Sequence, residues 1–142
     1  MEDRNILRPL MFAFNEDIRL NDGPSHVTDL MVLTIKSLVP SEDYVGVYID
    51  YKRFNEEMKL WEYYRHGDNI ALINILRDID SYIYWDKKDD TAYFRTIPIV
   101  LSNKDDSYIQ REVIKNLLFT TGNMETLIEG VLLSKLLYLL IR

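Results

Sequence analysis

The end of the chain, residues 124–141, carries the strongest constraint on how this sequence can fold. Its spacing predicts one helix, and the second half of that helix, Leu136-Leu137-Tyr138-Leu139-Leu140-Ile141, is apolar on every side. A helix of this kind is normally buried all round, in a core or against a partner. The apolar run that ends at Ile141 begins at Val131, is interrupted by Ser134 and Lys135, and has about half the length of a bilayer span. We therefore expect no membrane insertion and predict that protein surfaces cover this helix.

The remaining composition is that of one acidic globular domain spanning residues 1–142. Hydrophobic residues make up 47% and charged residues 28% of the chain, which argues against a disordered protein. The formal net charge of −6 disfavours nucleic acid as a partner, because phosphate backbones are also negative. The absence of cysteine excludes disulfides, thiolate zinc sites and a cysteine nucleophile. Since the first residues show no signal-peptide pattern, the sequence predicts a soluble cytoplasmic protein.

Hydrophobic periodicity predicts an all-α fold, a compact bundle of about five helices with short connections. The helices are expected at 26–39, 51–65, 69–79, 107–119 and 124–141. Ser25 or Thr28 can cap the first helix, Gly67 suits the end of the second, and Asp68 can cap the third. Residues 41–47 are expected to form a loop or a short helix. Residues 91–101 suit either a short strand or a short helix broken by Pro98.

Few side chains offer recognisable chemistry. Only His26 and His66 can supply an imidazole, so a three-histidine zinc site is excluded within one chain. His26 suits a helix cap better than a metal or catalytic role, and His66 suits a cation at a helix C-terminus. Acidic pairs such as Asp89-Asp90 can bind divalent ions, but they lack the spacing of a calcium loop and suit a solvated surface. The sequence has no glycine-rich phosphate loop, no GxSxG and no HExxH motif.

Three segments match, in order, the landmarks of one known family. Residues 26–33, HVTDLMVL, continue to Ser37-Leu38 and resemble a T-D-D-T loop followed by a helix patterned x-M-x-L-x-x-x-x-S-L. Residues 90–101, DTAYFRTIPIVL, resemble the pattern N-G-x-x-x-R-x-x-P-[ILV]-G-L. Residues 120–123, TTGN, resemble a T-H-x-[HDN] turn that opens a long apolar helix. From about residue 20 to residue 141, the chain resembles the ADP-ribosylglycohydrolase family.

The resemblance implies an all-α fold like the N-terminal and central part of that family, whose members remove ADP-ribose with the help of two Mg²⁺ ions. The positions that it assigns to ligand binding are Thr28, Asp29, Asp90, Arg95 and Asn123. Where the family has adjacent metal-binding carboxylates, this chain has Val27 and Thr28 or, with a shift of one residue, Asp29 and Leu30. At least one carboxylate is lost in either register, and Thr121 replaces the family's histidine. We therefore expect no catalytic residue and no cofactor, with Mg²⁺ bound only if a residual site functions.

Family members are longer than this chain, and a second acidic motif near their C-terminus completes their metal site. The resemblance thus implies that the helices that pack on the last helix in the family are missing here. The apolar residues left for a homodimer or a partner protein are Leu132, Leu133, Leu136, Leu137, Leu140 and Ile141. The first hypothesis is a non-catalytic interaction or regulatory module that self-associates. The alternatives are an ADP-ribose-binding protein or Mg²⁺-dependent hydrolase with a rearranged or intersubunit site, and an unrelated small helical protein.

Overall fold

The computed structural model describes residues 2–42, 46–78 and 82–141, and most of these residues are helical. The helices are α1 (Glu2–Asn21), α2 (His26–Lys36), α3 (Tyr51–Tyr64), α4 (Ile70–Arg77), α5 (Tyr82–Asp86), α6 (Ile97–Leu101), α7 (Asp106–Leu117) and α8 (Met124–Ile141), with a 3-10 helix at Ala92–Thr96. The strands of the described residues are β1 (Leu38–Pro40) and β2 (Val47–Ile49). The expected helical fold is confirmed, although these residues hold eight α-helices where about five were expected.

The helix α1 is absent from the sequence prediction, because Pro9 lies inside it and its apolar residues are interleaved with charged ones. Its inner side carries Leu10 and Phe14, which pack against a small core cluster that includes Met31. The helix is followed by Asp22 and Gly23, both with positive φ, which reverse the chain. Packing against the core therefore stabilises a helix whose hydrophobic periodicity is weak.

The start of α2 and the connection from α3 to α4 contain three residues that the sequence predicts at helix ends. Ser25 caps α2 as expected, since its Oγ accepts a hydrogen bond of 3.1 Å from the backbone N–H of Val27. Gly67 has a φ of 81° and lies two residues after the C-cap Arg65, one residue beyond the C′ position that the sequence predicts for it. The prediction that Asp68 caps α4 is wrong. The helix begins at Ile70, and its N-cap residue is Asn69, which has a left-handed backbone and makes no side-chain cap hydrogen bond.

The two strands form an antiparallel pair with Leu38 opposite Ile49. The side chain of Asn103 stabilises this pair by bonding both the N–H (2.8 Å) and the carbonyl (3.1 Å) of Val47. A loop or short helix was expected over residues 41–47, of which 43–45 lie outside the described residues. Val47 is instead the first residue of β2.

The main core lies between α2, α3 and α7. Its fully buried side chains include Leu33, Phe54, Trp61, Val113 and Leu117. Residues 91–101 cross this core as the 3-10 helix and then α6, every residue of which is buried. Pro98 stands in the first turn of α6, where the missing N–H has no helical partner to lose. The helical alternative for this segment is therefore the one that folds.

The last helix, α8, packs along α7 through small residues spaced four apart. Thr126, Gly130 and Ser134 are its buried residues, and a Cβ at Gly130 would collide with the Leu117 side chain of α7. Toward the end of α8, Leu137 and Ile141 pack against both core clusters. Neither α8 nor any other helix within the described residues combines the length and apolar content that a membrane crossing needs.

Candidate functional site

Asp29, one of the positions that the resemblance assigns to a ligand, is a buried carboxylate in the first turn of α2. Its Oδ2 accepts hydrogen bonds from the indole N–H of Trp61 (3.1 Å) and the backbone N–H of His66 (2.9 Å). Its Oδ1 lies 2.7 Å from Nδ1 of the His66 ring. These three contacts, together with the helix N-terminus, stabilise the negative charge and occupy both oxygens.

His66 is held by this carboxylate while about half of its side chain stays exposed. When Nδ1 donates a hydrogen bond to Asp29, Nε2 carries a lone pair that can accept a hydrogen bond or bind a ligand. The sequence assigned His66 to the end of a helix, and it does follow α3 by two residues. Its partner was missed, because no local pattern links two residues that are 37 positions apart.

Thr28 bonds a second buried carboxylate, Asp17 of α1, which the sequence did not single out. The hydroxyl of Thr28 donates to Asp17 Oδ2 (2.6 Å), and the hydroxyl of Ser25 donates to Oδ1 (2.5 Å). Burial raises the pKa of Asp17, but the hydrogen bonds from Ser25 and Thr28 outweigh it and hold that pKa below its ordinary value. Thr28 therefore ties α1 to α2.

His26 and Asp90 line a polar cavity of about 460 Å³ between α4 and residues 87–91. In its wall, His26 Nε2 lies 3.1 Å from the hydroxyl of Thr91, which donates to Asp89 Oδ1 at 2.7 Å. Asp90 is exposed and lies 3.5 Å from the ammonium of Lys88. The cap interpretation of His26 is incomplete, since its ring also bonds a residue 65 positions away.

Arg95, a further assigned position, is buried in the core with an exposed fraction of 1%. Its guanidinium donates to the side-chain and main-chain oxygens of Asn116 (both 2.8 Å) and to the carbonyl of Leu117 (3.3 Å). These carbonyls lie at the C-terminus of α7, the negative end of the helix dipole. Burial lowers the pKa of Arg95 to about 10, so the group stays charged at neutral pH. Arg95 thus acts as a buried cap of α7.

Four buried polar atoms of this part of the core make no well-formed hydrogen bond, although the amide of Asn116 lies close enough to the Tyr51 hydroxyl to interact with it. They are Tyr51 Oη, Arg95 Nη1, Asn116 Nδ2 and Thr120 Oγ1. Burial raises the pKa of Tyr51 to about 12, so its hydroxyl keeps its proton. Buried polar groups are nearly always paired, so this excess of donors around Arg95 is unusual.

Asn123 caps α8 and bridges it to α5. Its Oδ1 accepts from the backbone N–H of Thr126 (3.0 Å), and its Nδ2 donates to the carbonyls of Trp85 and Asp86 (both 3.2 Å). Like Thr28, Asn123 has a structural role that accounts for its polar atoms.

The five assigned positions do not form one site. Only Asp90 lines the cavity that contains His26, whereas Asp29 and Arg95 lie in separate buried networks. Across residues 2–42, 46–78 and 82–141, no group of three or more histidine, aspartate or glutamate side chains is arranged to hold a metal ion. The oxygens of Asp29 already serve three donors and are not available as an open ligand pair.

The outer side of α8 carries many exposed apolar side chains. Met124, Ile128, Leu132, Leu136 and Leu140 repeat every four residues, and Leu133 and Leu139 flank them. These seven side chains are exposed by between 41% and 74%. Of the residues predicted to form an interface, Leu132, Leu133, Leu136 and Leu140 belong to this surface, whereas Leu137 and Ile141 face the chain's own core.

Comparison of the chain with family models, with curated proteins and with solved structures yields no match. The resemblance to ADP-ribosylglycohydrolases therefore stays a prediction that rests on sequence patterns. Function is therefore inferred from the geometry of the described residues.

Proposed function

We propose that this protein is a non-catalytic interaction module that self-associates through the outer side of α8. The observation that carries this proposal is the row formed by Met124, Ile128, Leu132, Leu136 and Leu140, which contains no charge and is more than half exposed at every position. With its two flanking leucines, this row presents on the order of 500–800 Å² of apolar surface, more than soluble monomers usually expose.

A second copy of the chain suits this surface better than another partner. In a two-fold dimer the same patch meets itself, and an apolar row is complementary to itself whatever the charge of the rest of the chain. Two charged residues of α8 have partners, since Glu129 pairs with Lys88 and Lys135 pairs with Asp106. Because each copy carries a net charge of −6, apolar contact must drive the association and added salt must strengthen it.

The contacts of the assigned positions support a non-catalytic role. We infer that the chain is a degenerate relative of the ADP-ribosylglycohydrolases, with Val27 and Thr28 where the family has metal-binding carboxylates. Thr28 and Asn123 stabilise the fold, and Asp29 is saturated by Trp61 and His66. A metal site at these positions would have to break the contacts that hold α2 against α3.

Sedimentation velocity at micromolar concentration tests self-association. We expect a dimer for the unmodified chain and a monomer for the double variant Leu132→Glu/Leu136→Glu, because four charges cannot be buried in one apolar interface. The matched control is Leu60→Glu, which changes an equally exposed leucine on α3 and should leave the dimer intact. A monomeric unmodified chain, or a dimer that survives the double substitution, contradicts the proposal.

A second candidate function is the binding of ADP-ribose in the cavity that contains His26 and Asp90. Its size of about 460 Å³ and its polar lining, which includes Lys87 and Lys88, favour a polar small molecule. Calorimetry with ADP-ribose, with and without Mg²⁺, tests this function. Binding that Asp90→Ala weakens and that Glu56→Ala on the exposed side of α3 preserves would support it. If ADP-ribose binds neither with nor without Mg²⁺, the interaction module remains as the proposed function.

A further inference from the structure

A groove at the surface of the main core has the size of a small-molecule site. It encloses about 700 Å³ between α3, α4 and the end of α7, and α8 contributes nothing to its lining. Its walls are mainly apolar, formed by Met58, Ile75, Leu76, Leu118 and Phe119. Ligand sites in proteins typically have volumes of about 300–1,000 Å³, apolar walls and a few placed polar groups.

The polar groups at the mouth of this groove leave a local positive charge. Lys59, Lys115, Arg77 and Glu62 line it, and Arg77 pairs with Glu62. Within the described residues, neither Lys59 nor Lys115 forms an ion pair, and the ammonium of Lys115 lies 5.3 Å from the centre of the Tyr51 ring. Two uncompensated cations at one opening stand out in a chain whose net charge is −6.

Next to Tyr51, which lines the groove, lie several buried polar groups. The Tyr51 hydroxyl has the amide of Asn116 beside it but no acceptor, and the guanidinium of Arg95 keeps one unpartnered nitrogen. Glu112 acts on Tyr51 more strongly than Arg95 does, but it does not line the groove. The positive charge that an anion in the groove would meet is therefore that of the lysines at its mouth.

We propose that this groove binds a small organic monocarboxylate whose apolar body lies against Met58, Leu76 and Phe119 and whose carboxylate meets Lys59 and Lys115. One anionic end and an apolar body match the charges at the mouth and the walls of the groove. A polyanion such as a nucleotide would place several charges against apolar walls, which disfavours it. The site is separate from the outer side of α8, so it does not depend on self-association.

Calorimetry with octanoate below its micellar concentration tests this proposal, with octan-1-ol as the neutral probe of the same length. We expect octanoate to bind at least about tenfold more tightly than octan-1-ol. The double variant Lys59→Gln/Lys115→Gln should remove that difference, while Lys52→Gln, an exposed lysine of α3 outside the groove, should leave it unchanged. Equal affinities of the two probes for the unmodified chain, or a preference for octanoate over octan-1-ol that survives the double substitution, overturn the proposal.

A second variant locates the bound probe. Asn55 is exposed and lines the groove, so Asn55→Trp fills the groove without disturbing a buried side chain. We expect this variant to keep its fold and lose octanoate binding, and the self-association variant Leu132→Glu/Leu136→Glu to bind octanoate normally. The proposal is overturned if octanoate binds Asn55→Trp as tightly as the unmodified chain, or if its binding depends on the leucines of α8. Either result would leave the proposed self-association untouched.

Discussion

Asp29 and Arg95 are both buried charges, but their surroundings differ. Asp29 is a carboxylate whose two oxygens accept from Trp61 and twice from His66. Arg95 is a cation without an ion-paired carboxylate among the described residues, and it donates only to neutral oxygens of Asn116 and Leu117. The anion is saturated by donors, whereas the cation is stabilised by helix carbonyls and keeps an unpartnered nitrogen.

The difference shows how differently a buried anion and a buried cation can be satisfied. A carboxylate has few hydrogen-bond sites, and three well-placed donors satisfy most of them. A guanidinium has five N–H groups in a fixed plane, so a helix terminus satisfies only some of them, and the carboxylate of Asp89 adds an attraction at longer range. The surplus donors lie next to Tyr51, which lines the proposed carboxylate groove. The saturated site is thus structural, and the unsaturated one leaves polar hydrogens beside the groove.

The largest expected effect is that of removing the saturated anion. Asp29→Ala leaves the indole of Trp61 and the backbone N–H of His66 without an acceptor, so it should lower the free energy of unfolding by about 3 kcal/mol. Urea denaturation followed by circular dichroism measures this change. Asp90→Ala is the control, because Asp90 is exposed and should contribute less than about 0.5 kcal/mol. Similar losses from the two substitutions would show that Asp29 is not the structural centre proposed here.

A smaller loss is expected for the cation. Arg95→Met keeps much of the buried volume and relieves the desolvation of a charge, but it leaves the side-chain oxygen of Asn116 without its donor and removes the second donor of two α7 carbonyls, which keep their backbone hydrogen bonds. We expect it to lower the free energy of unfolding by about 2 kcal/mol. The same urea titration tests this value. A loss larger than that of Asp29→Ala would reverse the comparison between the two buried charges.

Two tyrosines provide a finer test of satisfied and unsatisfied donors. The hydroxyl of Tyr84 donates to the carbonyl of Leu118 at 2.6 Å, whereas that of Tyr51 has only the amide of Asn116 beside it and meets no acceptor. Tyr84→Phe should cost about 1 kcal/mol of unfolding free energy, and Tyr51→Phe should cost almost nothing. Thermal unfolding of the two variants side by side measures the difference. Equal costs would mean that the Tyr51 hydroxyl has a partner after all.

The smallest effect concerns the dependence of stability on pH. The folded pKa of Asp17 lies below its ordinary value of 3.8, so its contribution to stability is complete above that value. As the pH falls further, the unfolded chain takes up a proton first, and the contribution is lost as the pH passes the folded pKa. Asp17→Asn should therefore flatten the fall in unfolding free energy between about pH 4 and pH 2. Urea titrations across this range compare the slopes, and identical slopes would contradict the assignment.

The sequence predicted those elements whose signal is local. α3 and α8 lie where the apolar spacing places them, and Ser25 caps α2 as expected, because helix periodicity and capping involve neighbouring residues. α1 was missed, since Pro9 and scattered charges hide a helix that depends on packing against Met31 and Ile97.

The candidate site was much less predictable. The resemblance singled out Thr28, Asp29 and Arg95 but gave no sign of their actual partners, Asp17, His66 and Asn116. Those contacts join residues on different helices, and only the packed fold brings them together. The groove between α3, α4 and α7 has no sequence signal at all, because its lining comes from three separate segments.

The close contact between Gly130 and Leu117 has a consequence for how α8 meets other molecules. Because the Leu117 side chain occupies the place of a Cβ at Gly130, a turn of α8 about its own axis would force that side chain to move. The leucines on the other side are therefore held in one orientation before any contact forms. A rigidly presented row loses little conformational entropy on association. A single glycine on the inner side thus favours tight binding on the outer one.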